Sequence, residues 1–160
     1  MIVLGIDPGY DRLGVAIVEK TGEERVLWSD CITTNSKVDF TDRLFSIGEA
    51  VEKIIKKWKP DAMSLEKLFI STNQKTATNI AEVRGVLIYL AKKHKLSLGQ
   101  YTPMEIKSTI AGYGTADKKQ VTAMIEKLVK LPAGKRLDDE YDAIGVALTH
   151  LARVKMSGIR

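Results

Sequence analysis

A chain of 160 residues and 17.7 kDa, 44% hydrophobic and 28% charged, has the size and balance of one globular domain, which excludes a disordered tail protein. Its formal net charge of +5 points to an anionic partner, nucleic acid or a membrane surface, without choosing between them. The single cysteine, Cys31, excludes an intrachain disulfide, no apolar run reaches the roughly 18 residues of a membrane span, and no basic segment precedes the opening Met-Ile-Val-Leu-Gly-Ile, so a cytoplasmic location is expected.

No repeat or Pro/Ser-rich linker interrupts residues 1–160, which predicts one domain. Ile2 to Ile6 is a continuous apolar run, as in a central strand buried on both faces, and it stops at the turn tripeptide Asp7-Pro8-Gly9. Leu13 to Val18 reads as a second strand, Thr21-Gly22 as a turn, and Arg25 to Ile32 as a third strand. Three strands joined by short turns form an antiparallel meander. A helix is predicted from Thr41 to Trp58, because Leu44, Ile47, Val51, Ile54, Ile55 and Trp58 recur at three- and four-residue spacing. Pro60 ends it, and Ala62 to Leu65 is a short strand reached by a helical crossover, which makes it parallel to an earlier one. A second long helix is expected over Thr76 to His94, then a strand near Leu96 to Tyr101. Pro103 suits the first turn of a short helix that ends before Gly112. Further helices are expected from Ala116 to Leu131, broken by Pro132-Ala133-Gly134, and from Asp138 to Val154. The order β-β-β-α-β-α-β-α-α-α indicates an α/β fold with a mixed sheet, its first three strands antiparallel and the later ones parallel.

Asp7 and Glu66 each follow a buried strand. If the crossover sets those strands side by side, both carboxylates project from the sheet edge where open α/β sheets place ligands. Asp138, Asp139, Glu140 and Asp142 open the last helix, and Asp139 and Asp142 share one helix face. The apolar stretch from Ala143 to Leu151 predicts that this helix is buried, which carries those acids against the sheet. Each feature alone has a plain explanation: a turn, an exposed strand end, a helix N-terminus offsetting its dipole. Together they are costly, since two unit charges 4 Å apart repel by roughly 4 kcal/mol at an effective dielectric of 20. Either some carboxyls hold protons or a cation neutralises them. Oxygen ligands without a Cys or His cluster favour Mg²⁺ or Mn²⁺ over zinc, and two such ions can promote phosphodiester hydrolysis.

LGIDPG at 4–9, LEKLF at 65–69, VRG at 83–85, KSTIAGYGTADKKQV at 107–121, KLP at 130–132 and DEYDAIGVALTH at 139–150 occur in this order. In that combination the chain resembles the RuvC family of bacterial Holliday junction resolvases over nearly its whole length. The resemblance implies an RNase H-like fold with a five-stranded sheet. It also implies a crossover junction endodeoxyribonuclease of recombination and repair: a homodimer that nicks two strands of like polarity symmetrically and leaves 5′-phosphate ends. Two Mg²⁺ ions per site, replaceable by Mn²⁺, and the RuvA–RuvB branch-migration complex as partner come with it. Position by position, Asp7, Glu66, Asp139 and Asp142 match the catalytic, metal-holding acids. The loop from Leu131 to Leu137 is a residue longer than in the best-known members, so Asp138 and Asp139 both stand as candidates for the third acid. His150, one helix further on, reads as structural.

Residues 116–136 hold six basic side chains against two acidic ones, most of the chain's excess. Lys107, Lys118 and Lys119 are expected DNA contacts, with Lys107 and Lys118 matching family positions near the scissile phosphate. Phe69, three residues past Glu66, is either a core residue or an aromatic that stacks on bases at the crossover. Arg84 supports the site, contacts DNA or pairs with an acid such as Glu82. Ile80, Val83, Leu87 and Leu90 form a core stripe, and the resemblance places part of the dimer interface on that helix. GIDPGYDRLGVAIV at 5–18 also resembles the YqgF-type relatives, a non-catalytic alternative that the intact acidic positions disfavour.

Overall fold

The computed structural model describes residues 1–67 and 73–157, with side chains to residue 154. Its strands are β1 (Ile2–Asp7), β2 (Arg12–Lys20), β3 (Glu24–Thr33), β4 (Ala62–Glu66) and β5 (Ser97–Tyr101). Its helices are α1 (Phe40–Trp58), α2 (Gln74–Lys93), α3 (Pro103–Ala111), α4 (Lys118–Leu128) and α5 (Asp138–Ser157). The five strands form one sheet in the order β3-β2-β1-β4-β5. β1, β2 and β3 pair antiparallel, whereas β4 lies parallel to β1 and β5 parallel to β4, as the crossovers predict.

Strand alternation sorts the core into two layers. Leu4, Ile6, Leu13, Val15, Ile17, Met63 and Leu65 point to one face, under Ile47, Val51 and Ile55 of α1 and Val83, Leu87 and Leu90 of α2. Val3, Ala16, Val18 and Ala62 point to the other, under Ala143, Ile144 and Ala147 of α5, with α3 and α4 beyond. The α5 face is built of small residues. A Cβ on Gly5 would lie 2.2 Å from the Ala143 carbonyl oxygen, and one on Gly14 would lie 1.9 Å from that of Asp139. Helix α5 can therefore sit directly on β1 and β2, and the Ser64 hydroxyl donates to the Val146 carbonyl at 2.9 Å.

Local chemistry sets the helix ends. Asp39 and Asn73 cap α1 and α2, and Thr102 with Glu105 and Asp117 with Gln120 form reciprocal capping boxes on α3 and α4. One expectation fails at the end of α4, which stops at Leu128 rather than continuing to Leu131. Val129 is extended and buried, and Lys130 bridges to Arg25, its carbonyl accepting from the Val26 N–H at 3.0 Å. β3 is one of the two edge strands, and its unpaired backbone captures the chain before Pro132 is reached.

Candidate active site

The alternation that builds the core also aims the acids. Val3, Gly5 and Asp7 share one face of β1, and Ala62, Ser64 and Glu66 share that face of β4. Ile6 pairs with Leu65 in the parallel ladder, so Asp7 and Glu66 leave neighbouring strands one step later, on the α5 side. Helix α5 begins over the same edge. Its first turn is anchored by Glu140, buried, which accepts from the Ser29 hydroxyl at 2.7 Å and from the Leu137 N–H at 2.8 Å. Asp142 then stands beside Lys118, with Nζ to Oδ2 at 3.0 Å. Asp139 lies over Gly14 and pairs with the Arg12 guanidinium, with the Cys31 thiol 3.9 Å away.

Burial, then the charges of Glu66, Asp142 and Asp139, push the Asp7 carboxyl up to about 7, and Lys118 only partly offsets them. Burial also raises Glu66 and Asp142; Arg84, Lys107 and Lys118 oppose the rise at Glu66, and Lys118 opposes it at Asp142. Burial and mutual repulsion thus both work against ionising these carboxyls, a cost that a bound cation would relieve. The donors are carboxylate oxygens, suited to a hard divalent ion. Among the described residues no three acids close on a single point at ligand distance, because Asp139 is turned to Arg12 and Asp142 to Lys118. Asp138 extends outward with its side chain 78% exposed, against 24% for Asp139, and Asp139, not Asp138, acts on Asp7.

A cavity of about 260 Å³ opens beside the acids, lined by Glu66, Lys107, Lys118 and Asp142 on its polar side and by Ile106, Val121 and Tyr141 on its apolar side. Lys107 and Lys118 reach it from α3 and α4. Lys119 is exposed on the first turn of α4. Arg84 is buried beneath Glu66, donating to the Glu66 carbonyl and to Gln100 Oε1. That arrangement favours the supporting role among the three weighed for it. Phe69 lies outside the described residues. His150 is buried against Tyr101, 3.0 Å from its hydroxyl, as a structural residue.

The sequence reading missed Arg12 and Glu140. Arg12 gave no signal because its partner is 127 residues away, while Glu140 was lost among its acidic neighbours. Two cations of the basic stretch at 116–136 are paired with acids outside it, Lys118 with Asp142 and Lys130 with Glu23, and the Arg136 guanidinium donates to the carbonyls of Gly134 and Pro132.

The architecture aligns with Thermus thermophilus RuvC solved in complex with a Holliday junction substrate, at a TM-score of 0.92 and 28% identity, over 98% of this chain and 96% of that one. The yeast mitochondrial Holliday junction resolvase Ydc2 has the same fold at a TM-score of 0.74, over 96% of this chain and 80% of its own, although identity is only 15%. Fold and carboxylate cluster thus define the class, an RNase H-like protein of the resolvase type. A family model described as crossover junction endodeoxyribonuclease RuvC matches residues 3–150. Curated RuvC proteins from Ruminiclostridium cellulolyticum and Halothermothrix orenii are 40% and 39% identical over 94% of this chain, covering 91% and 92% of their own lengths. This chain belongs to the RuvC family of crossover junction endodeoxyribonucleases.

Proposed function

We propose that this chain resolves four-way DNA junctions as a homodimer, each copy cutting one of two strands of like polarity and leaving a 5′-phosphate end. The observation that carries the reading is the convergence of Asp7, Glu66 and Asp142 on one sheet edge, with Asp7 pushed up to about 7 by burial and by its acidic neighbours. Asp7, Glu66, Asp139 and Asp142 are the residues that would hold two Mg²⁺ ions, or Mn²⁺ in their place. Such ions activate water and stabilise the leaving oxygen of a phosphodiester. Lys118 and Arg12 act as counter-ions to Asp142 and Asp139. Lys107 and Lys118, on the cavity wall, would meet the scissile phosphate and offset charge that develops there. Lys119 would contact the flanking backbone, Phe69 an unstacked base, and Arg84 would hold the Glu66 strand end in place for DNA.

A junction with two scissile bonds related by a two-fold axis requires two sites with the same symmetry. The groove between α1 and α2 supports that assembly, since Phe45 and Tyr89 are 69% and 64% exposed beside Leu44 and Val86. Family membership is the support for the RuvA–RuvB complex as partner and for action in the cytoplasm; no helix among the described residues is long and apolar enough to cross a membrane. The direct check is Asp7→Asn. It should abolish junction cutting and leave junction affinity intact, because Lys and Arg contacts to phosphates supply the affinity. Retained cutting by this variant would remove Asp7 from the reaction.

A further inference from the structure

Six exposed lysines gather at the sheet edge opposite the carboxylates. Lys56 and Lys57 close the last turn of α1 and Lys59 follows it; Lys92 and Lys93 close α2 and Lys95 follows. These helix ends adjoin the starts of β4 and β5, whereas Asp7 and Glu66 lie at the far ends of β1 and β4. The lysines and the carboxylates therefore lie at opposite ends of the sheet. A depression of about 320 Å³ is lined by Lys56, Lys59 and His94 over an apolar floor of Ile55, Pro60 and Leu96. Three carboxylates lie nearby: Glu49 acts on Lys93, and the other two are engaged. Glu52 takes Lys56 at 3.0 Å, Lys93 at 2.9 Å and His94 at 2.8 Å; Asp61 accepts from the Ile2 N–H at 2.7 Å.

A lysine in the last turn of a helix has an ordinary use in offsetting the dipole. Lys56, Lys57, Lys92 and Lys93 already serve it. Lys59 and Lys95 lie beyond those turns, at φ +47° and +57°, and they are the non-glycine residues of positive φ among those described. Glycine is the residue that adopts this backbone without strain, and helices commonly end on it there. Both helices instead present a cation at the same edge. The composition indicates what the cations meet. Every cation beyond His94 is lysine, a flexible point charge, whereas protein interfaces favour arginine and aromatic residues and are depleted in lysine. Lysines without a base-reading partner fit the phosphates of duplex DNA, bound without regard to sequence.

We propose that this edge is a second, non-catalytic DNA-backbone site, which holds a duplex segment while the carboxylate face engages a junction. The resolvase reading requires only the carboxylate face, so this site goes beyond it.

The test uses the whole chain in chelator, so that nothing is cut. The protein is first saturated with unlabelled four-way junction, and a short fluorescent duplex is then titrated in. The junction-bound protein should capture the duplex. The variant Lys59→Gln/Lys92→Gln/Lys95→Gln should capture it at least tenfold more weakly, with a salt slope lower by about two to three, while junction affinity changes less than about twofold. Lys92→Gln alone, at an exposed position in the last turn of α2 where only a small contribution to the dipole is lost, should weaken capture at least about threefold, and it decides the matter if the triple variant misfolds. No capture by the parent protein, or equal capture by the variants, overturns the site. So does a labelled acidic peptide that binds the edge when duplex does not. If the parent fails to bind junction at all, the resolvase reading falls instead; the second site is then read from duplex binding to the free chain and its variants.

Discussion

Asp7 is the residue on which the electrostatics turn. Its carboxyl titrates near 7 in the fold, against an ordinary value of 3.8. The folded chain thus keeps a proton that the unfolded chain gives up in between. Stability from this group is fully present below the unfolded value and is lost as pH rises through about 7. A shift of that size corresponds to an upper bound of about 4 kcal/mol. Asp7→Asn removes the buried charge. In chelator it should raise the melting temperature by roughly 5 °C or more near pH 8 and leave it nearly unchanged near pH 4. Adding Mg²⁺ should stabilise the parent protein, by about 2.7 kcal/mol at a hundredfold excess over its dissociation constant, and leave the variant unmoved. Calorimetry across pH, with and without metal, reads both outcomes. A parent protein that gains no stability from Mg²⁺ would contradict the metal-holding role of the acids.

At the scale of the element, helix α5 positions half of the acids, and small residues let it do so. Gly14→Ala would drive a methyl group into the Asp139 carbonyl, a backbone atom that cannot swing away. The substitution should cost about 1–3 kcal/mol or more by urea unfolding. It should also lower cutting beyond what the lost folded fraction explains, because Asp139 moves with its backbone. An unchanged cutting rate per folded molecule would show that α5 tolerates displacement. Much of this was legible in the sequence. The apolar runs and the strand-end positions of Asp7 and Glu66 define the sheet edge, and the acidic start of an apolar helix indicates α5. The close packing itself was not legible, since it depends on Gly5 and Gly14 meeting a helix more than a hundred residues away. Nor was the Arg12–Asp139 pair, which is equally remote in sequence. The early end of α4 escaped for a related reason. Its local pattern is helical through Leu131, and only the free edge of β3 draws Val129 and Lys130 into extended backbone.

The whole molecule separates its charges. An acidic pocket lies at one end of the sheet, lysines on α3 and α4 surround it, and a second group of lysines occupies the opposite end. One chain of this size carries one carboxylate cluster, so paired cuts require two copies. Phe45→Glu with Tyr89→Glu should therefore shift the protein toward monomer in sedimentation and uncouple the two cuts. Unchanged sedimentation would place the interface elsewhere. The activity proposed for this chain is a metal-dependent cut directed by junction structure. It is measured by incubating the protein with a mobile four-way junction and with plain duplex, each with Mg²⁺ and with chelator. Paired, symmetric nicks should appear in the junction with Mg²⁺, none in chelator, and the duplex should stay intact throughout. Equal cutting of junction and duplex, or cutting that persists in chelator, would contradict it.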